Sequence, residues 1–123
     1  MTVRAVVRGV GHYLPERVVP NSWFEDKVDT SDEWIRARTG IEQRHFAAAD
    51  ETTSTMATAA ARAALADAGL DPADLDAIIV ATSTPDLTFP SVATMVQAGL
   101  DMHHGFAFDV QAVCAGFVFA LAQ

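Results

Sequence analysis

Cys114 is the residue best placed to do chemistry, and it is the only cysteine in the 123-residue chain. The run before it, Phe106-Ala107-Phe108-Asp109-Val110, reads as a buried strand. The Ala-rich, aromatic stretch from Ala115 to Gln123 reads as the start of a buried helix. Cys114 therefore falls at a predicted strand-to-helix junction. Unpaired N–H groups and the positive end of a helix dipole at such a junction would stabilise a thiolate and lower the thiol pKa from about 8.5. A thiolate is a strong nucleophile. The competing reading is an inert buried thiol packed as a small hydrophobe. Spacing alone does not separate the two.

Other side chains offer weaker chemistry. Trp34 and Arg38 are four apart on one predicted helix and share a face. They form either a surface cation–π pair or two flat surfaces between which a flat aromatic ligand could lie. Arg36 points elsewhere on that helix. Phe89, just before Pro90 at a predicted helix entrance, suits a hydrophobic staple. Asp109 alternates with Phe108 along its strand and reads as a structural carboxylate rather than a triad member. His103-His104 brings no second thiolate and reads as a solvated loop, and no Cys/His group has zinc spacing. Gly9-Val10-Gly11 lacks the third glycine and the following helix of a dinucleotide fingerprint, with Leu14-Pro15 there instead.

The elements that must position these residues follow from periodicity and capping. Val3 to Val10 suggests a first strand, ended by Gly9, Gly11 and Pro15. Asn21 could cap a short helix through Glu25. Thr30 and Glu33 have capping-box spacing for a helix to about Thr39, with Gly40 closing it. Ser54 to Ala68 is the clearest helix, with Met56, Ala60, Ala64 and Leu65 on a possible buried stripe and Gly69 at its end. Asp71-Pro72-Ala73-Asp74 predicts a single turn. Ala77 to Thr82, apolar on both faces, predicts a central parallel strand. Pro90-Ser91 opens a helix to about Leu100. The strand at Phe106–Val110 and a helix from Cys114 to Gln123 follow. This alternation predicts an α/β fold with a mostly parallel sheet and right-handed crossovers.

Length and composition narrow the function classes. Half of the residues are hydrophobic, which suits one compact domain burying roughly two thirds of its unfolded surface. Sixteen acidic residues against eight basic ones argue against nonspecific nucleic-acid binding. A lone cysteine argues against an intrachain disulfide framework and fits a reducing cytoplasm. Met1-Thr2-Val3-Arg4 lacks the apolar core of a signal peptide, and no apolar run approaches the roughly 20 residues of a membrane span. The last predicted helix has no stop signal and needs a covering layer, which suggests an N-terminal piece of a larger fold.

Several stretches together resemble β-ketoacyl-acyl-carrier-protein synthase III of the thiolase superfamily. They are Val28 to Ile35, Arg38-Thr39-Gly40-Ile41, Ala81 to Asp86, Phe89-Pro90-Ser91, and Ala107 to Val110 through Cys114-Ala115-Gly116-Phe117. They occur in the family's order and cover nearly the whole chain. The resemblance implies a five-layer thiolase-like αβαβα fold of two similar halves, residues 1–123 being most of the first. It implies a cytoplasmic homodimer with no permanently bound cofactor. It further implies a condensing enzyme of fatty-acid initiation, whose cysteine takes an acyl group from acyl-coenzyme A. That group then joins malonyl-acyl-carrier protein by decarboxylative Claisen condensation.

By the same resemblance Cys114 is the nucleophile, and its N–H is one oxyanion-hole donor. Trp34 and Arg38 grip the adenine of coenzyme A, with Thr30 in contact. Arg36 meets a phosphate or the carrier protein, and Phe89 crosses the dimer interface to border the partner's acyl pocket. The family's catalytic His and Asn and its glycine loop belong to the second half. His12, His45, His103 and His104 do not lie in the catalytic His context, and Asn21 is the only Asn. The piece alone is therefore expected to be inactive. Two alternatives stay open: a related acyltransferase or condensing enzyme of specialised metabolism, and a non-catalytic, truncated coenzyme A-binding protein.

Overall fold

A computed structural model describes residues 5–123. They pack as two compact units, Leu14–Glu51 and residues 5–13 with Thr52–Gln123.

In the first unit, strand β1 (Arg17–Pro20) leads into a 3-10 turn (Asn21–Phe24), helix α1 (Asp32–Thr39) and strand β2 (Gln43–Phe46). The strands pair antiparallel, with Arg17 opposite Phe46 and Pro20 opposite Gln43. This pairing is absent from the sequence expectations, because four residues are too few to show a period of two. Val19 and Ile35 are buried. Trp23, Phe24 and Phe46 meet edge-to-face, with centroids 5.0 to 6.3 Å apart. The cap of α1 differs from the expected Thr30–Glu33 box. Ser31 is the N-cap and accepts from the Trp34 N–H at 3.1 Å, while Glu25 accepts from the Asp32 N–H. Gly40 closes the helix at φ +71°, a conformation that favours glycine. Asn21 does not cap the short turn: Pro20 holds the cap position, and Asn21 is only 1% exposed.

The second unit carries helix α2 (Thr53–Ala68), a 3-10 turn at Pro72–Asp74 and strand β3 (Ala77–Ala81). Helix α3 (Val92–Gly99), strand β4 (Phe106–Val110) and helix α4 (Gly116–Leu121) follow. Reciprocal hydrogen bonds between Thr52 and Thr55 start α2, and Gly69 ends it at φ +65°. Around the expected single turn the Asp74 carboxylate accepts from the Asp71 N–H at 2.9 Å, and the Asp74 N–H donates to the Asp71 carbonyl. β3 and β4 are parallel, from Ala77 opposite Phe106 to Ala81 opposite Val110, as the two-sided apolar runs predict. The core joins Leu65, Val92, Val96 and Leu100, with Ala57, Ala61, Ile78 and Val80 packed against it.

The face of α2 toward the core is thus Ala57–Ala61–Leu65, rotated from the expected stripe. Ala60 and Ala64 receive the N-terminal segment instead: a Cβ on Gly11 would strike the backbone of both. The predicted strand at Val3–Val10 is corrected in part. Val3 lies outside the described residues, and residues 5–10 form no strand. Gly9 and Gly11 bring this backbone against α2, where the Val10 N–H donates to Asp67 Oδ2 at 2.9 Å rather than to a sheet partner.

Asp109 shows how β4 and α3 are locked together. The N–H groups of Val92 and Ala93, at the start of α3, donate to its two carboxylate oxygens at 2.8 and 2.7 Å. Ser91 caps the same helix by accepting from the Thr94 N–H. Asp109 is therefore structural, as expected. Asp109→Ala should destabilise the protein by about 2–4 kcal/mol, because it removes two charge-assisted bonds and strands their donors. Chemical denaturation would read the change, and a loss below half a kcal/mol would refute this role.

Candidate active site

Cys114 lies in a 3-10 turn, Val113–Ala115, between the end of β4 and the first residue of α4. The strand-to-helix junction is where the sequence placed it, and the thiol is exposed. Val113, just before it, has φ +46°. A β-branched residue rarely enters the left-handed region, so the surrounding contacts hold strain here. The turn it makes directs the chain out of the sheet at the cysteine.

The helix after Cys114 is shorter than expected. It spans Gly116–Leu121 rather than starting at Cys114, so its dipole is small. It is also not buried. Phe117 is 73% exposed, and Val113, Val118, Phe119 and Leu121 are exposed with it. Apolar composition marked this segment for burial, but the described residues pack only one side of it. Gly116 approaches Ala81 of β3, where a Cβ would sit 3.1 Å from the alanine methyl.

Cys114 lines a cavity of about 730 Å³. Its walls are apolar: Ala57, Ala61, Ile79, Ala81 and Phe117 contribute, together with Gly11. The lining suits apolar groups.

The loop after β3 is anchored nearby. Asp86 accepts from the Ser54 N–H at 3.0 Å and the Ser54 hydroxyl at 2.5 Å, and Thr53 Oγ1 donates to the Thr84 carbonyl at 2.7 Å. Burial opposes the Asp86 charge, but hydrogen bonds from Ser54 and Thr52 outweigh it and hold the carboxyl below its ordinary value.

The candidate ligand-gripping residues sit in the other unit, on and before α1. Trp34 is 54% exposed, and the Arg38 guanidinium lies 5.2 Å from its ring centroid. The pair shares a face, as the spacing requires. Thr30 precedes the cap residue, and its Oγ1 is buried with no hydrogen-bond partner among the described residues. Such an atom costs free energy unless a ligand or water engages it.

Arg36 lies on a different face of α1 from Trp34 and Arg38, as its position predicts. It makes two bonds to Asp32, at 3.0 and 2.9 Å, and reaches Glu42 at 2.7 Å, so its charge is spent within the unit. Phe89 is 87% exposed and staples nothing. His103 pairs only with Asp101 on the surface, and no metal-binding cluster occurs among the described residues. No helix of the described residues is long and apolar enough to cross a membrane.

Asp32 gives a pH prediction. Its hydrogen bond to Arg36, then that to Asn21, holds its carboxyl below the ordinary 3.8, and Asp32 raises Arg36 in turn. A depressed folded-state pKa stabilises the protein above the unfolded value and loses that contribution as pH falls through the folded one. Stability should therefore be level from neutrality to about pH 5 and drop below about pH 4. Asp32→Asn should flatten that acid limb in denaturant midpoints measured against pH. An unchanged limb would exclude Asp32 as a source.

No family model matches the chain. Individual proteins do. The chain is 80% identical over 120 residues to a β-ketoacyl-[acyl-carrier-protein] synthase III of Paracoccus denitrificans, covering 98% of this chain and 37% of that protein. Its fold matches the crystal structure of 3-oxoacyl-[acyl-carrier-protein] synthase III from Aquifex aeolicus at TM-score 0.85 and 52% identity, over 93% of this chain and 37% of that one. The priming β-ketosynthase of the R1128 polyketide pathway matches at TM-score 0.86 and 41% identity, over 94% and 35%. The chain thus spans a little over a third of the length of the curated relatives it matches. The thiolase-type fold and the resemblance carried by the motifs both hold.

Proposed function

We infer that this chain is the part of a β-ketoacyl-acyl-carrier-protein synthase III that carries the acyl-accepting thiol and one wall of the coenzyme A site. Residues 1–123 would form most of the first thiolase-like half. The observation that carries this reading is the exposed Cys114 at the β4–α4 junction, opening into an apolar cavity.

The chemistry follows from the sulfur. As a thiolate, Cys114 Sγ attacks the carbonyl carbon of an acyl-coenzyme A thioester. The negative oxygen of the tetrahedral intermediate is stabilised by backbone N–H donors, that of Cys114 among them. Collapse breaks the bond to the coenzyme A sulfur, which leaves as the thiolate and takes up the proton. The acyl group remains on Cys114 with its chain in the cavity. Malonyl-acyl-carrier protein then loses carbon dioxide, and the resulting carbanion attacks the acyl carbon. The Cys114 thiolate is expelled and the new carbon–carbon bond remains. A His and an Asn outside this chain would stabilise that carbanion.

Trp34 and Arg38 would sandwich the adenine, and the unpartnered Thr30 Oγ1 would find its partner on the same ligand. No resident cofactor enters the scheme. The exposed Phe89 and the apolar face of α4 fit burial by a second subunit and by the rest of the protein. The cytoplasm is the compartment this substrate pair implies. The likeness to a polyketide priming ketosynthase favours a second reading, in which the same thiol serves specialised metabolism with another acceptor.

The test is intact-protein mass spectrometry of the complete protein mixed with acetyl-coenzyme A. One acetyl group should appear per subunit and map to Cys114. Label on another residue, or none, would sink the assignment.

A further inference from the structure

Asn21 is a buried amide whose bonding capacity is directed at the scaffold of α1. Its Nδ2 donates to Asp32 Oδ1 at 2.9 Å and to the Ile41 carbonyl at 2.7 Å. Its Oδ1 accepts from Arg44 Nη1 at 2.5 Å, and its own N–H donates to the Glu42 carbonyl at 3.4 Å. Asp32 is the first residue of α1, and Ile41 follows Gly40 just past its end. One side chain therefore ties the start of the helix to the chain that leaves it. Arg44 adds β2 to the same node. Asp32 passes the constraint on through its two bonds to Arg36, which is tied in turn to Glu42.

Along a helix, positions 32 and 36 share one face, while 34 and 38 lie on a different one. The network thus clamps α1 by the Asp32–Arg36 side and leaves Trp34 and Arg38 free to meet a ligand. We propose that Asn21 is a positioning residue for coenzyme A recognition, fixing α1 so that the paired Trp34 and Arg38 side chains, 5.2 Å apart, are held on the helix face that meets the adenine. This rests on the reading of Trp34 and Arg38 given above. The physical reason is that a stacking site tolerates little displacement. Buried, fully bonded polar networks hold such geometry because every alternative leaves a polar atom unpaired.

The experiment compares two acyl donors in the complete protein: acetyl-coenzyme A and acetyl-pantetheine, which lacks the adenine nucleotide. Asn21→Ala should raise KM for acetyl-coenzyme A about tenfold, leaving kcat and the acetyl-pantetheine kinetics within about twofold. Asp32→Asn, at a more exposed point of the network, should shift the same KM in the same direction by less, and it covers the case in which Asn21→Ala does not fold. Equal losses with both donors would mean that the network only supports the fold, and the proposal fails. So does an unchanged KM for acetyl-coenzyme A in both variants. Trp34→Ala separates the underlying reading: if it leaves the preference for acetyl-coenzyme A intact, the adenine clamp itself is wrong. If it removes that preference while neither network variant does, only the positioning role is wrong.

Discussion

Cys114→Ser in the complete protein is expected to lose acyl transfer from acetyl-coenzyme A by at least roughly a thousandfold, with the fold intact. The argument is one of acidity and size. A serine hydroxyl keeps its proton at neutral pH. A thiol loses its proton far more readily, and its anion attacks a thioester and later leaves again with little penalty. Because sulfur and oxygen differ little in size, the exchange changes the packing only slightly. Single-turnover transfer of radiolabelled acetyl, with circular dichroism as the folding control, checks both halves of the statement. A variant that still accepts acetyl at a tenth of the native rate would remove Cys114 from the mechanism.

Trp34→Ala should weaken coenzyme A binding by roughly five- to a hundredfold, since stacking a nucleobase on an aromatic side chain is worth about 1–3 kcal/mol. Arg38→Ala should act in the same direction. The two losses should not add, because the Arg38 guanidinium lies 5.2 Å from the Trp34 ring and residues in contact couple. The half-exposed Trp34 contributes little to the core, where Ile35 does the packing, so melting temperature should barely move. Titration calorimetry with coenzyme A and with pantetheine reads the effect. A loss confined to coenzyme A supports the proposed adenine contact, whereas parallel losses with both ligands would point to a distorted helix.

Much of the fold was legible because strong local signals agree with one another. Gly69 ends α2, Ser91 caps α3, and β3 is apolar on both faces, as a strand covered on both sides must be. Where short elements depend on their neighbours, the signals failed. The β1–β2 pair is four residues deep, so neither strand shows a period. Thr30 and Glu33 have the right spacing for a cap, yet Ser31 takes it. The sequence offers hydroxyls at both positions, and only the path of the preceding turn selects one. The N-terminal segment carries the valines of a strand, but its two glycines place it against α2.

The site divides along the same line. That Trp34 and Arg38 share a face follows from helical period, and Asp109 as a structural carboxylate follows from strand alternation. Asn21 was missed as a network centre. Its type suggested a cap, and the only available clue was a lone Asn in a segment rich in charged residues. No reading of residue order shows that its amide meets Asp32 and Ile41, which lie 11 and 20 positions away.

The sequence by itself determined the kinds of group available: one thiol at a strand-to-helix junction, an aromatic and a cation one turn apart, a carboxylate facing a helix start. Those are consequences of period, capping and composition, which act over a few residues. Only the tertiary structure decided that the thiol opens into an apolar cavity, that Arg36 bonds Asp32 and Glu42, and that the N-terminal segment lies along α2. Those outcomes depend on which distant surfaces meet, and burial and charge pairing are settled between segments rather than within them.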